Sequence, residues 1–139
     1  MVRNRGIMIS TTLTDAQLKV LLAAQQGELD AVLMYNALAR VAKDPADANT
    51  FRTLAAEEGG HAAVFKELTQ QMLKPKRTKA ILLPLLYRIL GKKRVYPMIA
   101  KGEYDAVKKY EPVVAQFPQV ESVKNDEKRH GDTVLALLK

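Results

Sequence analysis

The sequence predicts an all-α protein built as a four-helix bundle. Apolar residues recur at three- and four-residue spacing over most of the chain, which is the signature of one buried helix face. No stretch alternates with the period of two that a half-buried strand needs. A hairpin-sized pattern also occurs twice, so the helices come as two similar pairs.

The first helix opens on Thr14-Asp-Ala-Gln17, a capping box, and runs to about Ala42. Its stripe is Leu21, Ala24, Glu28, Ala31, Tyr35, Leu38 and Ala42. Asp44-Pro45 stops and restarts the chain, an Asp N-cap followed by Pro at the first helical position. The second helix is expected to reach about Leu73, with Phe51, Leu54, Glu58, His61, Phe65, Leu68 and Met72 on its stripe and Lys74-Pro75 closing it. Residues 76–95 read as a long crossover holding a short extra helix, Ala80–Leu90, apolar all round and interrupted by Pro84. The third bundle helix is expected from Tyr96-Pro97, on a stripe of Ile99, Glu103, Ala106 and Tyr110, with Pro112 kinking or ending it. Pro118 is expected to open the last helix, whose stripe is Val120, Val123, Glu127, His130, Val134 and Leu137.

The repeat is direct. Gly27-Glu-Leu-Asp-Ala-Val-Leu-Met-Tyr35 matches Gly102-Glu-Tyr-Asp-Ala-Val-Lys-Lys-Tyr110 at an offset of 75, and Glu57-Glu58-Gly-Gly-His61 matches Asp126-Glu127-Lys-Arg-His130 at an offset of 69. Two pseudo-repeated hairpins imply a bundle with a pseudo-twofold axis.

At 139 residues the chain is expected to form a single domain, 1–139. It has no cysteine, which excludes disulfide scaffolds, Cys-ligated zinc, iron–sulfur clusters and thiol nucleophiles. Only two histidines are present, so a metal site must draw mostly on carboxylates. No apolar run reaches the roughly 18 residues of a membrane span. The N-terminal patch Gly6–Ile9 is too short for a signal-peptide core, so a cytoplasmic location is expected.

The net charge of +7 is uneven. Nine Lys or Arg and no acid fall between Lys74 and Lys101, leaving thirteen bases against fifteen acids elsewhere. One basic segment on a slightly acidic chain does not make the basic reading element of a nucleic-acid binder, and no nucleic-acid partner is expected. Two readings of the segment stay open. It is a crossover covering the bundle or a partner subunit, or it lies at a membrane surface with Leu and Ile in lipid and Lys92, Lys93 and Arg94 on anionic headgroups.

The stripes carry the chemistry. Glu28, Glu58, Glu103 and Glu127 place one carboxylate on the apolar face of every bundle helix. Both histidines follow such a glutamate by three, as Glu58-x-x-His61 and Glu127-x-x-His130, which puts each pair on one helix face. A carboxylate buried without a partner costs several kcal/mol or shifts its pKa upward. Four such charges balance two divalent cations, and oxygen ligands with one nitrogen per metal suit iron or manganese better than zinc. By counting from the turns, the carboxylates of each hairpin meet at one level.

One glutamate from each of two helices plus Glu-x-x-His from each of the other two resembles the di-iron carboxylate pattern of the ferritin-like superfamily. The chain resembles its rubrerythrin-type members over residues 14–138, without their cysteine-bearing rubredoxin domain. It also departs from them in having Ala106 where they carry a further glutamate. The resemblance implies two iron ions, with manganese as the alternative metal. Glu28 and His61 would hold one, Glu103 and His130 the other, with Glu58 and Glu127 bridging. It implies outer-sphere roles for Tyr35 and its repeat partner Tyr110. It further implies a di-iron oxidoreductase of ferroxidase or peroxidase type, which reacts with O2 or hydrogen peroxide and oxidises Fe(II) or a separate electron donor. A homodimer is expected. Two other readings stand beside it: a membrane-associated hydroxylase resembling the demethoxyubiquinone hydroxylase family, and a non-enzymatic iron-binding or sensing module.

Overall fold

The structure is a computed structural model that describes residues 13–139. The Gly6–Ile9 patch lies outside the described residues. Among the described residues five helices follow in order: α1 (Asp15–Val41), α2 (Pro45–Thr69), α3 (Thr78–Leu90), α4 (Lys92–Val114) and α5 (Val120–Ala136). The hairpins α1–α2 and α4–α5 form the bundle, and the crossover helix α3 packs along α1 and touches α4. Among the described residues no helix is long and apolar enough to cross a membrane.

The helix starts follow the local chemistry. The Thr14 hydroxyl accepts the Gln17 amide at 3.0 Å and the Gln17 side chain accepts the Thr14 amide at 2.9 Å, so two orphan donors are satisfied reciprocally. Asp44 caps α2 by accepting the Ala46 amide at 2.9 Å, with Pro45 at the first position.

Two expected boundaries are corrected. The second helix ends at Thr69 rather than near Leu73, and Met72 is 81% exposed instead of buried on the stripe. Gln70 takes a left-handed φ of 57°, and α1 draws the chain away. The Thr69 hydroxyl donates to the Gln25 side-chain oxygen at 2.6 Å, while the Gln25 and Gln26 amides donate to the carbonyls of Gln71 and Lys74 at 2.8 Å.

The third bundle helix begins at Lys92, four residues before Tyr96, because Gly91 turns the chain there with a φ of 80° that favours glycine. Buried Asp47 of α2 then ties this first turn down. It accepts the Tyr96 hydroxyl at 2.8 Å and the Lys92 ammonium at 3.3 Å, and Lys92 also reaches the Leu137 carbonyl at 3.2 Å. Lys92 is thus partnered within the fold, while Lys93 and Arg94 are exposed. Pro97 is carried inside α4, where the bond it forfeits falls on the carbonyl of exposed Lys93. Pro112 lies in the last turn of α4, and α5 begins at Val120 with Pro118 in the turn before it.

Two apolar clusters fill the bundle. One gathers Tyr35, Leu38, Phe51, Leu54, Tyr96 and Val134, and the other Leu21, Phe65, Tyr110, Val113, Val120 and Val123. The stripe carboxylates and histidines form a polar layer in which all six are buried.

Candidate metal centre

The stripes bring all six residues together. His61 Nδ1 lies 3.1 Å from Glu28 Oε1, 3.0 Å from Glu58 Oε1 and 3.1 Å from Glu127 Oε1. His130 Nδ1 lies 3.2 Å from Glu58 Oε1 and 3.5 Å from both Glu103 Oε2 and Glu127 Oε1. Glu58 and Glu127 therefore reach both imidazoles, while Glu28 stands with His61 and Glu103 with His130. The rings stack at 5.4 Å with 23° between their planes, and one ligand atom from each of Glu58, His61, Glu127 and His130 falls within 4.8 Å of the others.

The tyrosines cross between hairpins. Tyr110 of α4 donates its hydroxyl to Glu28 Oε2 of α1 at 2.6 Å, and Tyr35 of α1 donates to Glu103 Oε2 of α4. Each tyrosine thus holds the carboxylate of the opposite half. Burial, then the facing carboxylates, push both phenols above their usual range, so they stay protonated and donate.

The outer ring nitrogens have carboxylate partners that sequence reasoning missed. His61 Nε2 lies 2.8 Å from Asp126 Oδ2, and His130 Nε2 lies 2.9 Å from Glu57 Oε1. Glu57 lies off the apolar stripe, yet it is half-buried and bonded. The helix turns it toward α5, whose histidine needs an outer partner. Arg129 joins the two carboxylates, at 2.6 Å from Glu57 and 3.1 Å from Asp126. The offset that aligns Glu58 with Glu127 also aligns Glu57 with Asp126, and that was the available signal.

The electrostatics are those of a cation-binding cluster. Burial raises the Glu28 carboxyl well above its usual range, and Glu58 and Glu127 add to the rise against hydrogen bonds from His61 and Tyr110. Burial raises Glu103 in the same way. Burial opposes charge on His130, but Glu103, Glu127 and Glu58 outweigh it and push its pKa up to about 12. His61 is raised likewise, against burial, by Glu127, Glu28, Glu58 and Asp126. Glu127 Oε1 and His130 Nδ1 are buried with no hydrogen-bond partner among the described residues. Each such orphan costs about 1–3 kcal/mol. A donor set of four carboxylates and two imidazole nitrogens, with orphaned atoms facing inward, fits divalent metal ions.

The rubrerythrin family model matches residues 19–138, a span that contains all six residues, both tyrosines and the outer carboxylates. The chain belongs to the rubrerythrin family. No curated protein and no solved structure matches it. In a rubrerythrin-family chain, this buried Glu/His cluster has the composition of a di-iron site.

Proposed function

We propose that the chain is a di-iron oxidoreductase that reacts with O2 or hydrogen peroxide and oxidises Fe(II) or a separate electron donor. The supporting observation is that Glu58 and Glu127 each approach both imidazoles. In this reading Glu28 and His61 hold one ion, Glu103 and His130 hold the other, and Glu58 and Glu127 belong to both. When bound, the iron pair supplies two electrons to the oxidant. The protein orients the donors. Asp126 and Glu57 accept hydrogen bonds from the Nε2–H groups, which would leave the Nδ1 lone pairs of the neutral rings aimed into the cluster. Tyr35 holds Glu103 Oε2 and Tyr110 holds Glu28 Oε2, so neither carboxylate swings away. Metal analysis of protein purified without chelator, followed by absorbance on adding peroxide to the Fe(II) form, tests the proposal. About two metals per chain and a new near-ultraviolet band are expected; an iron-loaded chain silent toward both oxidants would leave an iron-binding module.

A second reading, a membrane-associated hydroxylase, is supported by α3. Ile81, Leu82, Leu85 and Ile89 are exposed on it, beside exposed Lys76, Arg77, Arg88, Lys93 and Arg94. Apolar side chains ringed by bases suit an anionic lipid surface. Binding to anionic vesicles that weakens steeply with salt is the expected result; indifference at low salt removes this reading.

A further inference from the structure

Helices α1 and α4 face each other across the bundle without closing: no Cα of one comes within 8 Å of a Cα of the other. Their facing surfaces are nevertheless small, with Ala23, Ala24, Gly27 and Ala31 on α1 and Gly102 and Ala106 on α4. Helices with side chains this small can pack with axes at about 8 Å. Here the gap is left open as a cleft of about 610 Å³. That lies inside the range of about 300–1,000 Å³ that ligand pockets occupy.

Gly27 and Gly102 are repeat partners, each immediately before a glutamate of the polar layer. A Cβ built on either meets nothing within 4 Å. Glycine inside a helix is disfavoured, and packing does not require it at these two positions. What both glycines preserve is the volume of the cleft.

The remaining walls are apolar, with Val20, Met34, Leu83, Met98 and Ile99, and the floor is the carboxylate cluster. Two cations complete the lining, Lys79 from α3 and Lys109 from α4. Both are exposed, and neither is salt-bridged among the described residues. A cleft made only to admit a small oxidant needs neither this apolar length nor a pair of free ammonium groups.

We infer that the cleft binds a long-chain carboxylate. The apolar chain lies along the alanine and glycine walls, and the carboxylate is held by Lys79 and Lys109. The inference goes beyond the metal reading, because binding uses the walls of the cleft and is measured with and without metal.

The test titrates dansyl-undecanoate into the full chain, both chelator-treated and iron-loaded, and follows dansyl fluorescence. Saturable binding of one probe per chain is expected in both forms. Dodecanoate is expected to displace the probe at about tenfold lower concentration than dodecanol, the size of one charge-assisted hydrogen bond. The double variant Lys79→Gln, Lys109→Gln should erase that preference and keep the alcohol affinity. Gly102→Leu should weaken the probe by at least about tenfold without lowering the thermal midpoint, since its side chain enters open space. Absence of saturable binding in both forms overturns the inference, as does unchanged affinity in Gly102→Leu. Binding that appears only after a dimer is diluted apart, or only in a chain starting at residue 13, overturns it too, because the cleft then belongs to a second copy or to the chain's own N-terminal segment. Probe binding by a chain that takes up no iron would count against the di-iron reading alone.

Discussion

In the first hairpin, His61 Nδ1 sits among three glutamate oxygens at 3.0 to 3.1 Å, whereas His130 Nδ1 in the second stands 3.2 to 3.5 Å from its three. The difference continues outward. Glu58 is followed by Gly59 and Gly60, Glu127 by Lys128 and Arg129, and Arg129 supplies a cation to both outer carboxylates. One turn on, Gly131 packs under Tyr104, whose hydroxyl donates to Asp132 at 2.6 Å; a Cβ at Gly131 would stand 2.5 Å from the tyrosine ring. The first hairpin has Ala62 and Leu29 at the corresponding positions and no such lock. The duplicated residues decide which atoms face the cluster, and the unduplicated ones decide how tightly each half holds them.

The largest expected effect comes from breaking what the halves share. Glu58→Ala or Glu127→Ala should abolish binding of both metals, while His61→Ala or His130→Ala should weaken mainly one. Metal-to-protein ratios by elemental analysis check this, and full stoichiometry in Glu127→Ala would refute the bridging assignment.

Next in size is the dependence on metal and pH. In the fold Glu28, Glu103, His61 and His130 are all raised above their ordinary values, 4.5 for the carboxyls and 6.5 for the imidazoles. A raised group stabilises fully below its unfolded pKa, and that contribution is lost as pH rises through the folded pKa. The metal-free protein should therefore lose stability from about pH 5 upward. Metal binding must displace these protons, so it strengthens over the same window. Asp126 and Glu57 are lowered, from 3.8 and 4.5, and contribute the opposite slope only at lower pH. The gap in thermal midpoint between loaded and chelator-treated protein should widen from about pH 5.5 to 8.5. A constant gap would contradict the proton displacement.

The smallest effect separates the hairpins by one methyl group. Gly131→Ala should destabilise by about 0.5–1 kcal/mol, because its methyl pushes the half-exposed Tyr104 ring aside and breaks its hydrogen bond to Asp132. Gly60→Ala, where a Cβ meets nothing within 4 Å, should stabilise by about 0.5–1 kcal/mol from helix propensity alone. Denaturant midpoints measure both, and shifts of the same sign would remove the lock as a difference between the halves.

Much of this was legible along the chain, for a local reason. Residues three and four apart share a helix face, so Glu58 and His61 had to point together, as did Glu127 and His130. Thr14 and Asp44 cap their helices through neighbours two or three residues away. Boundaries failed where a distant group intervened: Gln25 pulls the end of α2 aside, and Asp47 anchors the start of α4.

By itself the sequence determined the helices, the pseudo-twofold repeat, the inward faces and the six residues on them, because each follows from spacing within one helix. Only the tertiary structure decided that Tyr35 and Tyr110 hold carboxylates of the opposite hairpin, that Glu57 and Asp126 back the imidazoles, and that α1 and α4 stand apart over a cleft. Each of those depends on the distance and rotation between helices. These are set by the packing of the two apolar clusters and the lie of α3, and no period along a single helix encodes them.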